Sequence, residues 1–339
     1  MKKVNTVGID VSAKTLDVAS SNGKHEVSKT FDNTPSGHQK LITSITKNGA
    51  FAKVVLEATG SYSLTIALAL VAHPRIEVMV ANPRAVHNFG KATMQRSKSD
   101  PIDAKMILKY CQKMDFIPWV EPPKSYLILR GMTRRVRQLA DEITREKNRL
   151  HGKGYEDSFA DNVVRDIEVN IRHLEKRKAQ MIKQAHALVC AESDLLEKYQ
   201  LLISVKGIAM TSGLLILGEL ILLPPDMKPP QWVAFAGIDP REYTSGTSVS
   251  KKRRITKAGD KYLRAALYMP VLSAVAYEPH IRAFYEKLTV ERAKKPIVAQ
   301  VAVMRKLLHA IWGMFHHNQP FDARKFHPLA TEKQMGGGQ

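Results

Sequence analysis

The chain has 339 residues, with 52 lysines and arginines against 32 aspartates and glutamates, a net charge of +20. Hydrophobic residues make up 44%, enough to fill cores, which excludes wholesale disorder; no run approaches the ~18 consecutive apolar residues of a membrane helix. The charge excess points to a polyanion and is uneven, +7 over residues 1–110, +3 over 111–200 and +10 over 201–339.

Residues 1–120 read as α/β. Short apolar strands at 4–9, 16–19 and about 25–30 are joined by turns such as Ser21-Asn22-Gly23, an opening of hairpin-connected strands. A helix starting at Pro35, a buried strand at 54–56, a helix at 64–72, a buried strand at 76–80 and a helix from about Asp100 to Met114 complete the region. Three antiparallel strands followed by alternating helices and strands is the ribonuclease H-like order. Four carboxylates occupy suggestive places in it. Asp10 ends the first strand, Glu57 ends the strand 54–56, and Asp100 and Asp103 stand three apart at a helix start, a spacing that puts both on one helix face. Mg²⁺ prefers hard oxygen ligands, and two such ions about 4 Å apart can hold the attacking and leaving oxygens of a phosphodiester. Taken singly, each acid has a plainer reading as a cap or an ion-pair partner. Gly8-Ile9-Asp10-Val11-Ser12 also looks like the first phosphate loop of actin-like sugar kinases, but the later glycine-rich loops of those enzymes are missing.

Pro122-Pro123 marks a boundary, and residues 121–199 carry two long helical patterns. Leu129, Met132, Val136, Leu139 and Ile143 recur at helical steps, as do Val164, Ile167, Ile171 and Leu174, with mixed charges between them as in a helical hairpin or coiled coil. An internal pair and an oligomerisation arm are both open. Residues 200–325 are helical and basic. The stretch around Lys206 and Gly207 is similar to a helix-hairpin-helix, whose backbone amides face a phosphate; an ordinary packing corner reads equally well. The most apolar stretch, 213–224, is interrupted by Glu219. Tyr243-Thr244-Ser245-Gly246 precedes a basic run of Lys251, Lys252, Arg253, Arg254, Lys257, Lys261 and Arg264, a candidate nucleic-acid grip. On composition alone this serine belongs to a phosphate-gripping loop, since a serine is a weak nucleophile without a base or metal. Residues 326–339, ending in Gly336-Gly337-Gly338, read as a flexible tail. Two cysteines without metal-ligand spacing, Cys111 and Cys190, and no apolar leader after Met1 fit a reduced, cytoplasmic setting.

Taken together, these blocks resemble the DEDD transposases of the insertion-sequence 110 family, relatives of the Piv invertase that include bridge-RNA-guided recombinases. The opening strand Gly8-Ile9-Asp10-Val11-Ser12, the block Glu57-Ala58-Thr59-Gly60, and Ser97-Lys98-Ser99-Asp100-Pro101-Ile102-Asp103-Ala104 carry the likeness. So do Gly237, Pro240, Ser245-Gly246, residues 255–259 and Leu263-Arg264. The resemblance implies a RuvC-like N-terminal domain, a coiled-coil middle and a mainly α C-terminal transposase domain. It also implies that Asp10, Glu57, Asp100 and Asp103 hold Mg²⁺ (or Mn²⁺) and that Ser245 is the nucleophile of a phosphoserine intermediate. Target and donor DNA, a structured bridge-type guide RNA and a homo-oligomer, a dimer or tetramer on DNA, follow as expected partners. Thr256 stands where serine is frequent and Asp260 where asparagine is frequent, a change of charge expected near the phosphate. A metal-only RuvC-like nuclease or junction resolvase, and a non-catalytic nucleic-acid scaffold, are the competing classes.

Overall fold

A computed structural model describes residues 4–58, 60–93, 100–152, 161–241, 244–245, 249–250 and 254–329. Thr59, residues 97–99, Gly246, Ser248, Lys251, Lys252, Arg253 and the triple-glycine tail lie outside them. The chain divides into two compact units, Met1–Glu121 and Pro122–Gln339.

The first unit runs β1 (Val4–Val11), β2 (Thr15–Ser21), β3 (Glu26–Asp32), α1 (Pro35–Ile45), β4 (Phe51–Glu57), α2 (Ser61–Val71), β5 (Ile76–Ala81), α3 (Pro83–Ala92) and α4 (Asp100–Lys113). Its sheet has the order β3-β2-β1-β4-β5, with β1 to β3 antiparallel and β4 and β5 parallel to β1. That topology is consistent with the ribonuclease H-like α/β domain expected from the sequence. Alternation along the strands splits the side chains between two faces. Val7, Ile9, Val54 and Leu56 pack with Leu41 and Ile66 on one side, and Val55 and Ala81 pack with Met106 and Ile107 on the other. Helix α3 was not expected. Its start signal is present, with Pro83 in the first turn and Asn82 accepting a bond from the Arg84 amide. Its apolar stripe is too thin to register, because only Val86 and Gly90 are buried along it.

In the second unit, α5 (Lys124–Gly152) and α6 (Asp161–Ala191) are followed by α7 (Ser193–Ile203), α8 (Met210–Leu220) and α9 (Pro229–Phe235). Four two-residue strands come next, β6 (Pro240–Arg241), β7 (Thr244–Ser245), β8 (Val249–Ser250) and β9 (Arg254–Ile255). The unit closes with α10 (Lys261–Tyr277), α11 (Pro279–Glu286), α12 (Pro296–His317) and α13 (Ala323–Phe326). Helices α5 and α6 pair antiparallel. Leu129 shares a cluster with Ala185 and Val189, Leu139 and Ile143 meet Leu174, and Lys147 Nζ lies 2.8 Å from Glu175 Oε1. The base of this pair is not a free arm, since Leu129 and Val189 belong to the same core as Leu202, Leu217 and Leu267. Helix α12 is long and apolar enough by composition to cross a membrane, yet Val303, Leu307 and Ile311 are fully buried in that core. The flexible tail expected from residue 326 does not start there. Phe326 is buried against Phe284 and Phe321, and the His327 carbonyl is 2.7 Å from His280 Nδ1.

Candidate active site

The carboxylates are placed by strand register and by one close helix contact. Ile9 of β1 pairs in parallel with Leu56 of β4, so Asp10 and Glu57 are the next step along two strands about 4.8 Å apart. Gly8 and Val55 face α4, and residues two further along a strand return to the same face; Asp10 and Glu57 therefore lie on the α4 side of the sheet. Gly8 is required there. A Cβ at this position would stand 2.2 Å from the Leu108 amide nitrogen and 2.6 Å from the Ala104 carbonyl oxygen. Helix α4 runs opposite to β1, because Gln112 near its end donates to Thr6 Oγ1 at 3.4 Å. Two strand residues advance about 6.6 Å, roughly four helix residues. Stepping from Gly8 to Asp10 thus moves along α4 from the Ala104–Leu108 turn to its first turn, where Asp103 stands. Asp100 opens the helix, and its side chain lies outside the described residues.

One acid was not singled out from the sequence. Asp17 of β2 is the antiparallel partner of Asp10 and accepts a 2.6 Å bond from Thr30 Oγ1. Asp10, Asp17 and Glu57 stand on neighbouring strands, each a potential oxygen donor. Their oxygens are of the hard type that Mg²⁺ or Mn²⁺ takes. Among the described residues, no three acidic, histidine or cysteine side chains already converge as a metal cage. The donor chemistry and the strand-end placement fit a divalent ion.

The close contact at Gly8 yields a direct prediction. Gly8→Ala pushes a methyl group into the α4 backbone, where no side chain can rotate away. The variant should lose about 2 kcal/mol and strand cleavage with it, as Asp103 is carried off with the helix. Thermal denaturation of the variant beside Gly131→Ala, whose added Cβ meets nothing within 4 Å, checks this.

Ser245 lies in the other unit, on a nested antiparallel ribbon. Pro240 and Arg241 pair with Ile255 and Arg254, and further out Thr244 and Ser245 pair with Ser250 and Val249. The pair that carries the serine thus lies, in sequence, inside the β6–β9 pair, which is clasped from several sides. Thr256 N donates to the Asp239 carbonyl at 3.0 Å, and Thr256 Oγ1 donates to Asp239 Oδ1 at 2.5 Å. Lys257 N donates to Gly237 O at 3.0 Å. Gly237 has φ +63°, and a Cβ on it would press Gly259 N at 2.7 Å, so the two return points of the ribbon touch backbone to backbone.

The basic candidates divide by environment. Arg254 and Lys257 are exposed. Arg264, read from the sequence as a nucleic-acid contact, donates from Nη1 to the Ala236 carbonyl at 2.8 Å and braces the hairpin root. Asp260 caps α10, accepting from Leu263 N at 2.7 Å. It also pairs with Arg134 at 3.1 Å, so its charge is compensated inside the fold, contrary to the expected change of charge at a phosphate. The Lys206-Gly207 turn packs against Ala274 of α10, with Lys206 Nζ exposed and 3.7 Å from Glu278 Oε2. Sequence reasoning missed Arg134 as the partner of Glu219. A lone acid in an apolar helix announces a buried cation, but nothing in the sequence says which.

Two family models match the chain. One, of DEDD type and described as "Transposase", covers residues 7–153; the other, "Transposase IS116/IS110/IS902 family", covers residues 199–286. The pilin gene-inverting protein of Moraxella bovis is 28% identical over 334 residues, 94% of this chain and 98% of that protein. That of Moraxella lacunata is similar to the same extent, 28% over 334 residues.

Proposed function

The chain belongs to the IS110 family of DNA transposases and recombinases, and on that premise we propose that it moves a mobile element through a covalent phosphoserine intermediate. What supports this reading is the placement of Asp10 and Glu57 side by side on the α4 face of the sheet in one unit, with Ser245 on a short antiparallel strand pair in the other. Asp10, Glu57, Asp103 and Asp100 would hold Mg²⁺ or Mn²⁺. A bound ion of this kind supplies Lewis-acid charge at the scissile phosphate and favours a deprotonated nucleophile. Ser245 Oγ attacks phosphorus, an Oγ–P bond forms, the P–O3′ bond breaks, and the leaving oxygen departs as a 3′-hydroxyl, taking up in net the proton that the serine gives up. The phosphoserine ester keeps the energy of the broken phosphodiester bond, so the reverse attack by a 3′-hydroxyl rejoins strands without ATP. The braced root limits where Ser245 can go, which lowers the entropic cost of attack.

Target and donor DNA are the proposed substrates, chosen by base pairing to a structured noncoding RNA. The protein then reads backbone and shape, a role suited to a net charge of +20. A homo-oligomer on DNA would bring carboxylates and serines of several copies to one junction. The test is a denaturing gel of protein incubated with Mg²⁺ and DNA carrying the element's ends. A covalent protein–DNA adduct supports the reading; cleavage without adduct replaces it with a metal-only nuclease.

The basic segment gives a second measurable consequence. Neutralising Lys251, Lys252, Arg253 and Arg254 to glutamine should weaken nucleic-acid binding and reduce the salt slope by about 0.9 for each phosphate that is no longer neutralised. Arg264→Gln should leave that slope unchanged while impairing the hairpin. Fluorescence anisotropy across a salt series measures both.

A further inference from the structure

Glu219 is 3% exposed in the apolar helix α8. It accepts two bonds of 2.7 Å from Nε and Nη2 of Arg134 on α5. The same Nη2 reaches Asp260 Oδ2 at 3.1 Å, and the guanidinium lies 4.6 Å from the ring centroid of Tyr262. Helices α5 and α8 are in contact one residue earlier, where a Cβ on Gly218 would stand 2.4 Å from Thr133 Oγ1. Asp260 uses its other oxygen to cap α10, and its amide donates to Phe235 O at 2.5 Å, beside the Gly237–Gly259 contact. One guanidinium therefore ties the long helix α5 and the core helix α8 to the root of the serine hairpin.

We infer that Arg134 is a positioning residue for Ser245, holding the hairpin root at a fixed angle to α5 and α8 through Asp260. The inference rests on the reading of Ser245 as nucleophile, but the link itself can be tested without it. Burial holds the Glu219 carboxyl above its usual range, and the bonds from Arg134 offset only part of that rise. Those bonds also hold the Arg134 guanidinium more firmly protonated. A buried charge group of this kind is a poor way to gain stability, since apolar residues of similar size often serve as well or better. What it offers is orientation, because a bidentate fork admits one geometry. The arrangement would let a change in the direction of α5, as when copies assemble on DNA, reach the hairpin.

The test uses the full chain. Asp260→Asn keeps a capping oxygen for α10 and removes the charge that Arg134 holds; Arg134→Lys keeps charge and removes the fork. Both should raise hydrogen exchange of the amides in 240–256 while leaving those of α8 and α10 protected. Both should also slow adduct formation about 10- to 100-fold at unchanged DNA affinity. The triple variant Arg134→Met, Glu219→Leu, Asp260→Asn should melt no lower than wild type and still form adduct slowly. Unchanged exchange in 240–256, or a triple variant with wild-type adduct rate, overturns the inference; if the triple variant does not fold, Asp260→Asn alone decides. Raised exchange in the variants together with an adduct that survives Ser245→Ala leaves the link standing and removes the serine reading.

Discussion

Asp10→Ala should abolish strand cleavage, by about a thousandfold or more, while nucleic-acid binding persists. Several kilocalories of charge stabilisation at a scissile phosphate correspond to that factor, and binding rests on cations elsewhere in the chain. A second outcome separates a ligand from a structural acid. Asp10 is the register partner of Asp17 and one step past the Ile9–Leu56 pair that leads to Glu57. Mg²⁺ should raise the melting temperature of the wild type by binding the folded state and leave the variant unmoved. Glu57→Ala, Asp100→Ala and Asp103→Ala should follow the same pattern, and EDTA should reproduce the loss of cleavage. An equal Mg²⁺-dependent rise in melting temperature in both proteins, or cleavage by Asp10→Ala at near the wild-type rate, would contradict the metal-cage reading.

Ser245→Ala should lose the covalent adduct and cleavage together, because it removes the Oγ that attacks phosphorus in the proposed reaction. Ser245→Cys should keep a trace at most, since a thiolate attacks but is poorly matched to Mg²⁺ and a phosphoryl centre. Ser250, paired with Thr244 across the ribbon, provides the control within the same hairpin, and Ser248 another. Ser248→Ala and Ser250→Ala should retain the adduct. Peptide mapping must find the nucleotide in the segment 243–246. If Ser245→Ala cuts DNA at near the wild-type rate, attack is by water; if Ser250→Ala is the dead variant, the chemistry stands on a different residue.

What the sequence made legible and what it hid differ by the range of the interaction. The strand order of the first unit follows from local signals, namely apolar runs bounded by turn residues and the Pro35 and Asp100 helix starts. The placement of Asp10 and Glu57 follows too, because a residue at the end of a buried strand has few places to go. The two long helices were readable from spacing. Their attachment was not, since Leu129 and Val189 look like any other periodic apolar residue until the core they join is known. The same limit applies to charge. Arg264 sits in a basic run and reads as a phosphate contact, yet its guanidinium serves the Ala236 carbonyl. Asp260 looked like a departure near a phosphate and is a helix cap with a cationic partner. Such roles are fixed by groups brought together from distant parts of the chain, so composition near the residue is silent about them. Asp17 was missed for a milder reason: its pairing with Asp10 depends on the strand register, which the turn between β1 and β2 sets.

The sheet order has a consequence for the order of events during synthesis. Asp10 on β1 and Glu57 on β4 become neighbours only after β4 inserts beside β1, on the side away from β2. The first turn of α4 reaches them only when the helix has laid itself across Gly8. A nascent chain therefore carries its first acid long before it carries a site, and the serine hairpin emerges later still, beyond α5 and α6. Domains tend to fold as units while the chain is made. On the reading proposed above, ribosome-bound intermediates lack the means to cut DNA until the second unit has been made.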